Sequence, residues 1–171
     1  SVNGGTITST GSTTSGAGNV QVTGIGGGTK GASQAYGVLV TSNGKITAGG
    51  NGTILVNGRG GAGSGADNHG VDITGGGKVT SSDGSIVVDG IPGKTTGKGV
   101  VVDSTISHTG SGSDSGIALI TDDLDITSGG NVSAGSHSVV IRPLTPGTGI
   151  NIGGEQFDVT TPGDPTSAPK A

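Results

Sequence analysis

A three-part pattern recurs along this chain of 171 residues and constrains its fold more than any other feature. The first part is a glycine followed by mostly aliphatic residues, at positions 37–40, 70–73, 99–102 and 116–119. The second is an Ile or Val followed by Thr, within 6–8, 45–47, 78–80 and 125–127. The third is a short apolar run within 19–22, 53–56, 85–88 and 138–141. Three short segments rich in β-branched residues, repeated in a fixed order, are typical of a solenoid in which each repeat forms one coil.

The spacing of this pattern predicts the core of the solenoid. Side chains alternate between the two faces of a strand, so residues at matching offsets are expected to stack as inward columns. The expected columns are Val38/Val71/Val100/Ile117 with Val40/Ile73/Val102/Leu119, then Ile7/Ile46/Val79/Ile126, and then Val20/Ile54/Ile86/Val139 with Val22/Val56/Val88/Ile141. Residues 100–116 have room for only two segments, which predicts a lost strand. Ile106 belongs either to the second column or to a shortened third segment.

Composition supports a narrow core and excludes several classes of function. The chain has 40 Gly, no Cys, Met or Trp, and 1% aromatic residues, so Val, Ile and Leu must form the core. The absence of Cys excludes a disulfide framework and a thiolate site. The formal net charge is -4 and the only arginines are Arg59 and Arg142, so no nucleic-acid partner is expected. No apolar run reaches about 18 residues, so no membrane span is expected.

The pattern divides the chain into a repeat domain and a tail. Residues 1–160 are predicted to form an all-β parallel β-helix (a solenoid) of about five coils, with three short strands in each coil. Glycine-rich stretches such as 49–52 and 75–77 are expected to form its corners. Residues 161–171 contain Pro162, Pro165 and Pro169 and little that is apolar, which predicts a Pro-rich tail or linker.

Acidic and imidazole side chains give only weak candidates for chemistry. Asp122, Asp123 and Asp125 lie close together in the sequence, and Asp123 and Asp125 are expected to share a face. Carboxylate oxygens suit Ca2+, so these three residues are the candidate metal ligands, although a solvated strand edge explains them as well. The three histidines at 69, 108 and 137 lack metal-ligand spacing and are expected at the surface. No catalytic residue, resident cofactor or enzymatic activity is predicted.

The C-terminal part carries a family resemblance. Residues 124–127 and 131–135, followed by 139–154 with Arg-Pro-Leu-Thr at 142–145 and Ile-Asn-Ile-Gly-Gly at 150–154, resemble a segment of filamentous-haemagglutinin-like, β-strand-repeat bacterial adhesins. The resemblance covers roughly residues 1–154, and upstream it rests on the repeat pattern alone. It implies a right-handed parallel β-helix that is exported to the bacterial cell surface or extracellular matrix, without catalytic residues. Members of this family are usually far longer than this chain.

The open ends of a short coil stack suggest a function. No polar capping segment is evident at either end, and uncapped strand edges bind further strands. We therefore expect an extracellular fibre subunit or adhesin stalk module that self-associates head to tail through Thr6, Ile7 and Thr8 at one end and Ile150, Asn151 and Ile152 at the other. A cell-surface or matrix polysaccharide is a further candidate partner. The alternative is a carbohydrate-binding or polysaccharide-degrading β-helix protein.

Overall fold

The computed structural model describes residues 1–11, 18–94, 97–110, 116–152 and 155–157. The described residues form strands and no helix, and hence no helix that could cross a membrane. In chain order the strands are β1 (Val2–Asn3), β2 (Thr6–Ser9), β3 (Val20–Ile25), β4 (Val38–Thr41), β5 (Lys45–Ala48), β6 (Ile54–Arg59), β7 (Val71–Ile73), β8 (Lys78–Ser81), β9 (Ile86–Ile91), β10 (Val100–Val102), β11 (Thr105–His108), β12 (Gly116–Ile120), β13 (Leu124–Ile126), β14 (Asn131–Ser133), β15 (Ser138–Arg142), β16 (Ile150–Ile152) and β17 (Glu155–Phe157).

Fifteen of these strands form three parallel sheets of five strands each. The first sheet has the order β1-β4-β7-β10-β13, the second β2-β5-β8-β11-β14, and the third β3-β6-β9-β12-β15. Each coil therefore contributes one strand to every sheet, and successive coils pair in sequence order. This arrangement confirms the predicted parallel β-helix of five coils with three strands per coil. At about 4.8 Å between neighbouring strands, the stack is roughly 25 Å tall.

The core consists of aliphatic columns that run through the stack, because strand pairing keeps matching residues in register. The first sheet contributes Val2/Val40/Ile73/Val102/Ile126 and Val38/Val71/Val100/Leu124. The second contributes Ile7/Ile46/Val79/Ile106/Val132. The third contributes Val20/Ile54/Ile86/Ile117/Val139 and Val22/Val56/Val88/Leu119/Ile141. Nearly all members from the three middle coils are fully buried.

The fourth coil differs from the sequence-based prediction, because it has lost no strand. Ile106 lies in the second sheet, Ile117 in the third and Ile126 in the first, so the predicted columns were wrong for Ile117, Leu119 and Ile126. The reason is that two corners are short. Only residues 103–104 separate β10 from β11, whereas residues 74–77 separate β7 from β8 in the coil before. Only residues 121–123 separate β12 from β13. A complete coil therefore fits where the earlier repeat length leaves room for two strands.

Long excursions follow the third-sheet strands of the first three coils and stack on one another. We call this the corner lobe (residues 26–36, 60–69, 92–94 and 97–98). Asn68 is fully buried within it, and its Nδ2 donates hydrogen bonds to the carbonyl oxygens of Ala32, Gly63 and Gly65 at 3.1, 2.8 and 3.0 Å. Its Oδ1 accepts a hydrogen bond from the Ala35 N–H at 3.0 Å. The excursions are thus tied together by a buried amide.

Glycine is required where the chain leaves and re-enters the coil stack. Near the end of each of the first three third-sheet strands, an inward glycine packs directly against the carbonyl group of a glycine at the start of the next coil. The pairs are Gly24 with Gly37, Gly58 with Gly70, and Gly90 with Gly99. A Cβ at the first member of each pair would overlap that carbonyl oxygen. The glycines at 24, 58 and 90 therefore allow the third and first sheets to meet.

The C-terminal segment leaves the coil pattern. β16 pairs antiparallel with β17, and neither joins one of the three sheets. Residues 158–171, which include the predicted tail at 161–171, lie outside the described residues, so the domain boundary at 160 stays a prediction.

Replacing Gly58 with Ala tests the close approach between the third and first sheets. The added Cβ meets backbone, which cannot rotate away, so we expect Gly58→Ala to lower the free energy of unfolding by about 1–3 kcal/mol. Gly27→Ala is the matched control, since nothing lies within 4 Å of its added Cβ. Denaturant unfolding followed by circular dichroism measures both variants. Equal stability of the two would contradict this account of the glycine pattern.

Candidate functional site

The N-terminal end of the stack is formed by β1, β2 and β3, each of which pairs on one side only. Thr6, Ile7 and Thr8 all lie on β2, as the predicted interface requires. Ile7 is the inward residue of that strand, yet 38% of it is exposed. The hydroxyl of Thr8 accepts a hydrogen bond from the hydroxyl of Thr47 in the next coil at 2.8 Å.

The C-terminal end of the stack exposes more of the core. β13, β14 and β15 are its edge strands. Ile126 on β13 is 42% exposed and Val139 on β15 is 40% exposed, whereas their column partners one coil earlier, Val102 and Ile117, are buried. Among the described residues, no further coil covers these side chains. The end therefore presents an apolar patch bordered by backbone groups on free strand edges.

The two ends carry the same inward columns. Four of the five columns run from the first coil to the fifth without a break in register, and the column of Val38, Val71, Val100 and Leu124 begins on the second coil. The terminal members are Val2, Ile7 and Val20 at one end and Ile126, Val132 and Val139 at the other. A surface of this kind can add a parallel coil, because backbone hydrogen bonds and apolar columns would both continue.

The other predicted interface segment is placed differently. Ile150, Asn151 and Ile152 form β16 and pair with Phe157, Gln156 and Glu155 in an antiparallel hairpin. In this hairpin β16 is not the edge of a sixth coil. Their role in an interface stays a prediction.

The three candidate calcium ligands have separate partners. Asp122 accepts hydrogen bonds from the backbone N–H and the hydroxyl of Thr145 at 2.8 and 2.6 Å. Burial acts to raise the pKa of Asp122, but these hydrogen bonds outweigh it and hold the pKa below its usual range. Asp123 forms an ion pair with Lys98 at 3.0 Å, and Asp125 is exposed. Within the described ranges, no group of three or more His, Cys, Asp or Glu side chains could hold a metal ion.

A polar cluster on the outer face of the first sheet was not predicted from the sequence. Asp72 points outward from β7, yet it is only 6% exposed and its Oδ1 has no hydrogen-bond partner among the described residues. Burial raises the pKa of Asp72 to about 6, and the negative charges of Asp103 and Asp67 add to the effect. The available signal was its position, because Asp72 lies in register between Leu39 and Val101.

Tyr36 lies near this carboxyl group, and the ring of His69 lies near that of Tyr36. The Nδ1 of His69 accepts a hydrogen bond from the Lys98 N–H at 2.8 Å, which leaves Nε2 to carry the proton of the neutral ring. Nε2 lies 3.9 Å from a carboxylate oxygen of Asp67. Burial lowers the pKa of His69 and raises that of Tyr36, whose ring centre is 5.7 Å from the His69 ring.

A row of hydroxyl groups lines a shallow groove of about 810 Å3 on the second sheet. One outward hydroxyl comes from each of four successive coils, and the register aligns Thr8, Thr47, Thr80 and Ser107. Exposed Lys45 and Lys78 lie two residues before Thr47 and Thr80 on β5 and β8. The groove can donate and accept hydrogen bonds and carries positive charge along one side.

The expected surface position of the histidines was wrong for His108. Only 2% of His108 is exposed, and its ring centre lies 4.9 Å from that of His137, which is partly buried. The alternation along β11 could have shown this, because His108 lies two residues after the inward Ile106.

Comparison with known proteins gives no match: no protein-family model, curated protein or solved structure is significantly similar to this chain.

The raised pKa of Asp72 predicts a stability that falls as pH rises. The folded state holds the Asp72 proton more tightly than the unfolded state, so the free energy of unfolding should fall from about pH 4 to pH 6 and then level off. Asp72→Asn removes this dependence and should be more stable than the natural chain by up to about 3 kcal/mol at pH 7.5, with little difference at pH 4.

Urea unfolding of both chains between pH 4 and pH 8 measures this difference. Asp125→Asn is the matched control, since Asp125 lies in the same outward column but is exposed. A pH-independent difference between Asp72→Asn and the natural chain would contradict the burial argument.

Proposed function

We propose that this chain is a structural module of an extracellular fibre or adhesin stalk, which assembles by end-to-end stacking of its coils. One observation carries the proposal. The inward columns of the stack end on aliphatic side chains in matching register, and Ile7 at one end and Ile126 and Val139 at the other are markedly exposed, whereas Val2 and Val20 are buried. A second copy, or a neighbouring β-helix module, supplies a surface that continues these columns.

In a head-to-tail contact, the first coil of the next copy acts as the sixth coil of the stack. Such a contact is heterologous, since two different surfaces meet, and it yields an open filament when the rotation does not close a ring. Apolar burial drives it, and backbone hydrogen bonds between edge strands set the register. The column members that meet are Ile126 with Val2, Val132 with Ile7, and Val139 with Val20 of the next copy.

A location at the bacterial cell surface is part of the same proposal. It is supported by the resemblance of residues 1–154 to filamentous-haemagglutinin-like adhesins, whose repeats form stalks. The fold is compatible with this resemblance, because the coils are as regular as a stalk requires. In this role the chain has a mechanical and spacing function, and catalysis is not part of it.

A second candidate function is carbohydrate binding, which the hydroxyl-lined groove on the second sheet favours. Thr and Ser hydroxyls suit the hydroxyl groups of an extended polysaccharide, and Lys45 and Lys78 suit one that carries carboxylate or sulfate groups. Sedimentation of the chain with insoluble acidic and neutral polysaccharides tests this function. Retention by acidic polysaccharide that is lost in a Lys45→Ala, Lys78→Ala variant would support it, and no retention by either polymer would exclude it.

Two adjacent residues of β15 test the stacking proposal. Val139 points inward at the open end, whereas Val140 points outward, and the two are similarly exposed at 40% and 48%. Val139→Lys places a charge at the centre of the proposed contact. We therefore expect the dissociation constant of the oligomers to rise at least tenfold. Val140→Lys should leave association unchanged.

Sedimentation velocity over a concentration series measures this effect, and negative-stain electron microscopy of the same samples shows whether the oligomers are filaments. Circular dichroism checks that both variants fold. A natural chain that remains monomeric at the highest concentrations, or equal effects of the two variants, would overturn the proposal.

A further inference from the structure

Two histidine rings meet at the corner where the second sheet leads into the third. His108 is the last residue of β11, and its side chain enters the interior of the fourth coil. His137 lies one coil further along, just before β15. The ring centres are 4.9 Å apart and the ring planes are 77° apart.

Three of the four ring nitrogens of this pair have no hydrogen-bond partner among the described residues. Both nitrogens of His108 and the Nδ1 of His137 are buried and have no hydrogen-bond partner among the described residues. A neutral imidazole carries one N–H donor and one lone pair, and leaving such groups buried and unpaired is costly. Three unpaired nitrogens on two adjoining rings therefore indicate a site for one ligand that binds to nitrogen atoms of both rings.

Local sequence builds this arrangement. His108 pairs in register with Ser81 of the coil before, and the small, buried Ala134 follows β14 in the coil after. A turn then returns the chain, with Gly135 at a φ of 61° and the His137 N–H donating to the Ala134 carbonyl at 3.0 Å. This turn brings the His137 ring over His108.

The geometry points to a transition-metal site at His108 and His137, for an imidazole-preferring divalent ion such as Zn2+, Ni2+ or Cu2+. Two imidazoles that bind one tetrahedral ion through nitrogens at about 2.0–2.1 Å have ring centres roughly 5 Å apart, as this pair does. Nitrogen ligands favour these ions over Ca2+ and Mg2+, which prefer oxygen. The chain supplies two ligands, and water or another small ligand completes the coordination.

The site has a structural consequence that is independent of stacking. His108 belongs to the fourth coil and His137 to the corner after β14 of the fifth coil, so an ion that binds both rings joins the last two coils. Metal binding to the folded chain alone raises its thermal stability. The fifth coil, whose core residues are the most exposed, gains most from this link.

Titration of the untagged natural chain with Zn2+ tests the site. Calorimetry should give one ion per chain, and the melting temperature should rise by roughly 5–10 °C at a hundredfold excess of Zn2+ over its dissociation constant. Ca2+ at the same concentration should leave the melting temperature unchanged. The absence of both Zn2+ binding and a thermal shift in the natural chain would overturn the inference.

Two histidine variants locate the bound ion. His137 is only partly buried, so His137→Gln should fold, and it should lose at least tenfold in Zn2+ affinity together with most of the thermal shift. His69→Gln is the matched control, because it removes the remaining histidine, which lies in the corner lobe, and should keep the full shift. Retention of the shift by His137→Gln, or its loss in His69→Gln, would place the ion elsewhere and reject this site.

Discussion

Backbone pairing between successive coils, in unbroken register, is the constraint on which the rest of the structure depends. A slip of one residue in any strand would turn its aliphatic side chains to solvent and its polar side chains to the interior. The register therefore holds while the corners vary, as the change from residues 74–77 to 103–104 at the first corner shows. Glycine at the junction of the third and first sheets is a second requirement, because Gly58 and Gly70 are in direct backbone contact.

The same regularity explains why the ends and the exceptions are informative. An interior coil satisfies its backbone groups and its apolar columns from both sides, whereas a terminal coil can do so from one side only. Ile126 and Val139 are exposed for this reason and not because their strands are irregular. Where a polar side chain is nonetheless buried, it has a specific context: Asn68 holds the corner lobe, Asp72 is a poorly solvated carboxyl group, and His108 faces a second imidazole.

Much of the fold could be predicted from the sequence, because period-two alternation and glycine spacing report directly on strand facing and coil length. The prediction failed at Ile117 and Ile126. Because two corners are short, the Gly-led segment with Ile117 lies in the third sheet and the segment with Ile126 lies in the first. Local sequence contains no separate signal for which sheet a Gly-led strand joins, since that depends on the length of the preceding corners. The burial of Asp72 was missed because it comes from neighbours in other coils, whereas the alternation along β11 already indicated that His108 points inward. Thr6 to Thr8 lie on an edge strand of the described coils, and their role in an interface stays a prediction.

Disulfide trapping across the proposed contact tests the central claim most directly. The chain has no Cys, and the outward column that contains Thr8 ends at Ser133, so the two would be neighbours across a head-to-tail contact. A spacing of about 4.8 Å between their Cα atoms lies within the range of a disulfide. Under mild oxidation, a chain with Thr8→Cys and Ser133→Cys should form a ladder of covalent oligomers. Neither single variant should form anything larger than a dimer, because one thiol per chain allows only one disulfide. A double variant that yields only monomers and dimers would contradict the continuation of the coil stack from one copy to the next.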